Sequence, residues 1–290
     1  MNLRKNRILT HGGLLAALLG LSLSGYAEQQ KFEVGLSMYS IRELFKSGEL
    51  HAHDYPEFAK KTFGITKIDV WDGGFPKDYK QDPDFLPELK RRADAAGAEI
   101  FLVMTGAVNG AAKDDKALKK NGLKFSRAVD QAEILGARYV RVFLSTDKKA
   151  DDAERIRKAS IALGALADYA KKKDITIAIE PSPNTPLGSF YAKLMQTMQH
   201  SHITLMPDFG KMLGTDIYQG TQDMLPYSKV VSAKTHDIAE DGSAEEFDYP
   251  RLMKIINESD FSGIIAIEYE GEKLGPVEGV IATKKLIEVE

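Results

Sequence analysis

Eight short apolar runs recur along the chain, each followed by a helix-patterned or loop segment, and this alternation constrains the fold more than any other feature. The runs are Phe32–Met38, Ile65–Trp71, Glu99–Met104, Tyr139–Leu144, Ile175–Glu180, Ile203–Asp208, Val230–Thr235 and Ile264–Tyr269. Most hold four to six residues of Val, Ile, Leu, Phe or Met, as expected of strands covered on both faces. The intervening segments carry helix signals. Asp151 to Lys173 repeats Ile156, Ala159, Leu163, Leu166 and Ala170 at i+3/i+4 spacing, opens on acidic residues and closes on three lysines, which suits the helix dipole at both ends. Asp84–Ala96 stops at Gly97, Lys116–Leu135 stops at Gly136, and Asp248 before Pro250 reads as an N-cap. Gly275–Glu290 reads as a last helix. Eight βα units predict a single-domain α/β fold, the (β/α)8 barrel. A doubly wound open sheet would announce itself with a glycine-rich loop between an early strand and its helix. Here Gly73-Gly74 runs into Phe75-Pro76 instead.

The first 27 residues stand apart. Arg4, Lys5 and Arg7 form a basic head, Ile8 to Leu23 is mostly apolar, and Gly25-Tyr26-Ala27 supplies the small residues of a cleavage site. This is the layout of a secretory signal peptide, so the expected organisation is a leader over 1–27 and a barrel domain over 28–290 in the periplasm or outside the cell. Without the leader the chain carries 36 Lys+Arg against 42 Asp+Glu, a net of −6, which argues against a nucleic-acid partner. No other stretch is long and apolar enough to enter a bilayer, so no membrane partner is expected after cleavage. The absence of cysteine excludes disulfides, thiolate metal sites and thiol nucleophiles. Pairing into a homo-oligomer would leave no local signature in such a chain and stays open.

A barrel of this kind works at the C-terminal ends of its strands. Run five ends in Glu180, run six in Asp208, run seven leads into His236 and run eight ends near Glu268, at gaps of 28, 28 and 32 residues. Four candidate metal ligands thus reach one rim from four adjacent strands. Three carboxylates and an imidazole suit one divalent ion such as Mn²⁺, Co²⁺, Mg²⁺ or Zn²⁺. Any one of these residues alone reads more simply as a solvated rim group or an ion-pair partner. Together they are costly to bury unless paired or bound to a cation. His51, His53, His200 and His202 precede a helix or strand, away from that rim, which argues against a multi-zinc nuclease. Lys211, Lys234 and Arg141 either bind a substrate oxygen or neutralise the carboxylates. Trp71 either stacks on a sugar ring or packs beneath a loop. Asn184 sits in a proline-rich loop and closes over a ligand or makes a turn. Asp69 shares Trp71's side of its strand, and Glu270 lies one step beyond Glu268.

These strand ends carry a family likeness. Ile-Ala-Ile-Glu180, Met-Pro-Asp208-Phe-Gly, Ala-Lys-Thr-His236-Asp and Ile-Glu268-Tyr-Glu-Gly resemble the motifs of the xylose isomerase-like barrels, the sugar (phosphate) isomerases and epimerases. The opening Gly35-Leu36-Ser37-Met38-Tyr39-Ser40-Ile41-Arg42 is similar to that family's first strand. The resemblance covers essentially all of 28–290 and is specific for the superfamily, not for one reaction. It implies one divalent metal held by Glu180, Asp208, a histidine and Glu268. Two departures stand out. Lys211 replaces a substrate-facing histidine, and Ser232 and Lys234 stand where many members place the ligand histidine. Two arrangements therefore stay open: His236 as fourth ligand, or three carboxylates with water or with Lys234 as the cation.

The function this implies is a metal-dependent isomerase or epimerase acting on a free sugar or keto-sugar through an enediolate. Glu180 and Glu268 would be the acid and base, and a small-molecule carbohydrate the partner. Expelling a β-substituent would make the same site a lyase or hydrolase of 3-keto-glycosides. A non-catalytic periplasmic sugar- or metal-binding barrel is the alternative from another class.

Overall fold

The computed structural model describes residues 31–182, 187–212 and 216–288. The expected leader, 1–27, and Asn184 lie outside the described residues. The eight strands are β1 (Glu33–Leu36), β2 (Lys67–Trp71), β3 (Glu99–Asn109), β4 (Tyr139–Ser145), β5 (Thr176–Glu180), β6 (Ile203–Leu205), β7 (Val230–Thr235) and β8 (Ile264–Tyr269). All pair in parallel, in the order β6-β5-β4-β3-β2-β1-β8-β7. The β6–β7 seam carries two isolated parallel bridges, Leu205 with Ser228 and Asp208 with Ser232. β6 is only three residues long, and Pro207 has no N–H to donate to a ladder. Its carbonyl still accepts from the Ser232 N–H at 2.8 Å, which draws the barrel nearly shut.

Helices fill each crossover, and their ends follow the sequence signals. Asp151 caps the helix Asp152–Lys171 through the Glu154 N–H, and Asp248 caps Tyr249–Glu258 through the Arg251 N–H. Gly97 and Gly136 end their helices in the left-handed region that favours glycine. One expectation needs correcting: Lys116–Leu135 is not one helix but two, Asp115–Leu123 and Ser126–Leu135. Gly122, at the end of the first, packs directly on the backbone of Ala162, where any Cβ would collide. That close contact fixes the first helix against Asp152–Lys171, and the chain turns before continuing.

Period-two alternation sorts each strand between two surroundings. Ile177 and Ile179 of β5, Val231 and Ala233 of β7, and Ile265 and Ile267 of β8 join the large core beneath the helices. The alternate positions form an inner cluster that includes Phe101, Met104, Ala178, Met206, Val230 and Ile264. The inner column therefore begins apolar, narrows to small residues at Ala178, Ser232 and Ala266, and ends in Glu180, Lys234 and Glu268. The mouth of the barrel is polar because the strand alternation carries ionisable residues there.

Candidate functional site

Glu180, Asp208 and Glu268 converge at the C-terminal end of the barrel. One carboxylate oxygen from each lies within 4.8 Å of the others, and all three side chains are buried. Glu180 closes β5 and Glu268 lies near the end of β8. Asp208 follows β6 and opens a 3-10 turn, where its Oδ1 accepts from the Lys211 N–H at 2.8 Å.

Two cations reach into this cluster from adjacent strands. Arg141 of β4 places Nε 2.9 Å from Glu180 Oε2. That N–H is not aimed at the oxygen, so neither atom is satisfied by a hydrogen bond. Another arm of the guanidinium donates to the Thr105 carbonyl at 2.6 Å, where a register shift in β3 turns that oxygen inward. Lys234 is the strand-register partner of Glu268. Its Nζ lies 3.3 Å from Glu268 Oε1 and 3.6 Å from Asp208 Oδ2, and it pairs closely with Glu270. Ser232, one step deeper on β7, donates its hydroxyl to Glu268 Oε2 at 2.5 Å.

These neighbours divide the two glutamates. Burial pushes the Glu180 carboxyl up; Arg141 opposes this, but the charges of Asp208 and Glu268 add to it and leave it well above the usual carboxylate range. Burial also works against the Glu268 anion, yet the Lys234 ammonium and the Ser232 hydroxyl outweigh it and hold that carboxyl at about 2. Lys234 loses hydration on burial, but Asp208, Glu268 and Glu270 together raise its pKa and keep it charged. In the protein alone the cluster drives the two glutamates apart, Glu180 toward the neutral acid and Glu268 toward the anion.

The groups present fit a divalent cation. Glu180 Oε2 and Asp208 Oδ2 are buried without a hydrogen-bond partner, and both belong to carboxylates that already converge. All three donors are hard oxygens, a set that favours Mg²⁺ or Mn²⁺.

His236 does not join them, which corrects the four-ligand expectation. It has the same parity as Ser232 and Lys234, but β7 ends at Thr235 and the chain leaves the barrel before the imidazole can turn inward. Its Nδ1 instead pairs with Glu246, and its side chain is partly exposed. His200 and His202 are occupied elsewhere, with Asp168 and the Ile175 carbonyl.

A cavity of about 530 Å³ opens above the cluster. Arg141, Lys211, Glu268 and Glu270 form its charged side, and Tyr39, Trp71, Met104 and Phe143 its apolar side. Trp71 meets Tyr39 edge-on at a centroid separation of 5.0 Å. The Arg141 guanidinium lies 4.0 Å and the Lys211 ammonium 5.7 Å from the Phe143 ring centroid. Glu268 is the member of the triad in the cavity wall; Glu180, Asp208 and Lys234 lie below it. The sequence singled out Trp71, Arg141 and Lys211 at this wall but not Tyr39, Phe143 or the Ser232 contact. Ser232 had a usable signal, its inward parity two residues before Lys234.

The fold is shared with known proteins. Aligned to the zinc-bound IOLI protein, the chain superposes with a TM-score of 0.67 at 16% identity, over 88% of this chain and 96% of that one. The probable 3-DHS dehydratase AsbF from Bacillus anthracis gives 0.68 at 14% identity, over 88% and 98%. The 3-keto-D-glucoside 4-epimerase YcjR from E. coli gives 0.64 at 13% identity, over 89% and 99%. At these identities the likeness is one of fold. No curated protein sequence matches the chain. The family model described as the xylose isomerase-like TIM barrel matches residues 57–288, four fifths of the sequence. The chain therefore belongs to the xylose isomerase-like TIM barrel family.

Proposed function

We propose that this protein is an isomerase of free sugars or keto-sugars that moves a proton between adjacent carbons through an enediolate. The observation that carries the proposal is the placement of the ionised Glu268 in a cavity wall that also presents Arg141 and Lys211. Glu268 is the base that takes the proton from the carbon beside the carbonyl. Its basicity is low because Lys234 and Ser232 stabilise the anion, so the C–H must be made more acidic from the other side. Arg141 and Lys211 do this by stabilising negative charge as it develops on the substrate oxygens. Trp71 and Tyr39 cover the apolar face of the sugar and exclude water.

Glu180, Asp208 and Glu268 would hold one divalent ion, which when bound supplies Lewis-acid polarisation of the sugar carbonyl. Glu268 lies near the end of β8 and Glu270 just past it, and both line the cavity, so both stand on one side of a substrate lying between them and Trp71. Proton return from that side to the neighbouring carbon, with the hydroxyl proton passing from one substrate oxygen to the other, interconverts an aldose and a ketose. This favours isomerisation over inversion at a single carbon, which needs an acid on the opposite face.

The leader expected over 1–27 makes an exported protein, and outside the cytoplasm sugar phosphates are scarce. A free sugar or oxidised glycoside is therefore the proposed substrate class. The test is incubation of residues 28–290 with free aldoses and ketoses in D₂O with Mn²⁺, beside Glu268→Gln. Deuterium at the carbon next to the carbonyl, with the aldose and ketose interconverted by the wild type and not by the variant, is the expected result. Release of a leaving group from a 3-keto-glycoside without exchange would replace isomerisation by the lyase reading. Retention of every C–H with tight sugar binding would make the protein a binder.

A further inference from the structure

Lys234 is placed as an occupant of the carboxylate site and not as a bystander. Its side chain is almost fully buried, and its ammonium lies 3.3 Å from Glu268 Oε1 and 3.6 Å from Asp208 Oδ2, two of the three groups that converge as candidate ligands. The path to that position is built into the chain. Gly210, two residues after Asp208, lies against the Lys234 stem, and a Cβ there would overlap Lys234 Cδ and lie 2.9 Å from Cγ. With Nζ held by three carboxylates, the stem has no cheap way to move aside. A residue without a side chain at 210 is what lets the ammonium reach the centre.

The third carboxylate is different from the other two. Glu270 is partly exposed and lines the cavity, whereas Asp208 and Glu268 are buried. It lies two residues beyond Glu268 on the same side of the chain. Lys234 thus bridges an inner pair of carboxylates and an outer one, and retraction toward Glu270 would vacate the inner pair without breaking its last ion pair.

We propose that Lys234 is an internal counter-ion of the metal site: it occupies the inner carboxylates in the metal-free protein and retracts toward Glu270 when a divalent cation binds. This rests on the metal reading of the triad. It goes further in assigning Lys234 and Glu270 the task of setting cation affinity, which a three-carboxylate site lacking the ammonium would hold far higher. Only a small, doubly charged ion can displace the ammonium at a profit, since a monovalent ion would exchange one unit charge for another.

Mn²⁺ binding measured by calorimetry on residues 28–290, for the wild type, Lys234→Met and Glu180→Gln, tests this, with folding of each checked by circular dichroism. The expected result is weak binding by the wild type, at least tenfold tighter binding by Lys234→Met and none by Glu180→Gln. Equal or weaker binding by a folded Lys234→Met overturns the counter-ion role and leaves the metal reading standing. No binding by either the wild type or Lys234→Met overturns the metal reading and this inference with it. A second measurement needs no variant: acetylation of Lys234 by acetic anhydride, read by peptide mass, should rise severalfold when Mn²⁺ is added to the wild type. Protection that is unchanged or increased on Mn²⁺ binding also overturns the retraction.

Discussion

Asp69 offers a sharp test of the electrostatics below the cavity. It is fully buried on β2; its Oδ1 accepts from the Met38 N–H at 2.7 Å, and Oδ2 has no hydrogen-bond partner. Burial pushes its carboxyl up from 3.8 to about 7; the Met38 N–H opposes this and the charge of Glu268 adds to it. A carboxyl whose pKa rises on folding stabilises the native state fully below its unfolded value. That contribution is lost as pH rises through the folded value. For Asp69 the window runs from about pH 4 to about pH 7, and the rise of about three units amounts to roughly 4 kcal/mol at 1.36 kcal/mol per unit. Asp69→Asn keeps an acceptor for Met38 and removes the titration. The metal-free variant should therefore gain on the wild type by about 3 kcal/mol between pH 4.5 and pH 8, nearly 1.4 kcal/mol for each unit well inside the window. Urea unfolding of both proteins with EDTA at four pH values reads this difference directly, and other titrating groups largely cancel. A difference that stays constant within about 1 kcal/mol across the range would refute the assignment.

Gly210→Ala should cost about 1–3 kcal/mol by overpacking the Lys234 stem, and most of that cost should vanish in a Lys234→Ala background. A double-mutant cycle by urea unfolding measures the coupling; additive effects would show that the glycine serves something else. Ser232→Ala removes the hydroxyl that donates to the ionised Glu268 and should lower stability at pH 7 by roughly 1.5–3 kcal/mol. It should also move the acid limb of the rate profile upward, because Glu268 loses one of the groups that hold its carboxyl down. A profile that does not move would exclude Glu268 as the titrating base.

The barrel was legible because its signal is repeated eight times and is physically redundant. β7 and β8 match their apolar runs at both ends, and β4 and β5 differ by one residue. The mismatches have local causes. The run from Ile203 to Asp208 yields a strand only to Leu205, since Pro207 interrupts the ladder. β3 runs five residues past Met104 to Asn109, through a register shift that brings the Thr105 carbonyl to Arg141. The break between the two helices before β4 depends on Gly122 meeting Ala162, forty residues away, which helical periodicity within one segment cannot register.

At the site, strand-end carboxylates could be placed from sequence because the alternation that buries Ile179 and Ile267 outward also sends Glu180 and Glu268 inward. His236 shares the parity of Ser232 and Lys234, yet its imidazole does not turn inward, because β7 ends at Thr235. One residue past β7 the backbone turns, and the imidazole finds Glu246. Inside the strand, parity puts Ser232 and Lys234 at the positions the histidine would have to fill, and they use them differently. Ser232 is short enough only to hydrogen-bond Glu268, whereas Lys234 reaches across to Asp208 on the far side of the β6–β7 seam. A neutral imidazole there would have added a ligand without adding charge. An ammonium adds charge without adding a ligand, so it competes for the same oxygens that a metal would use. The chemistry of this barrel thus depends less on how many acids reach the rim than on which strand-seven side chain meets them.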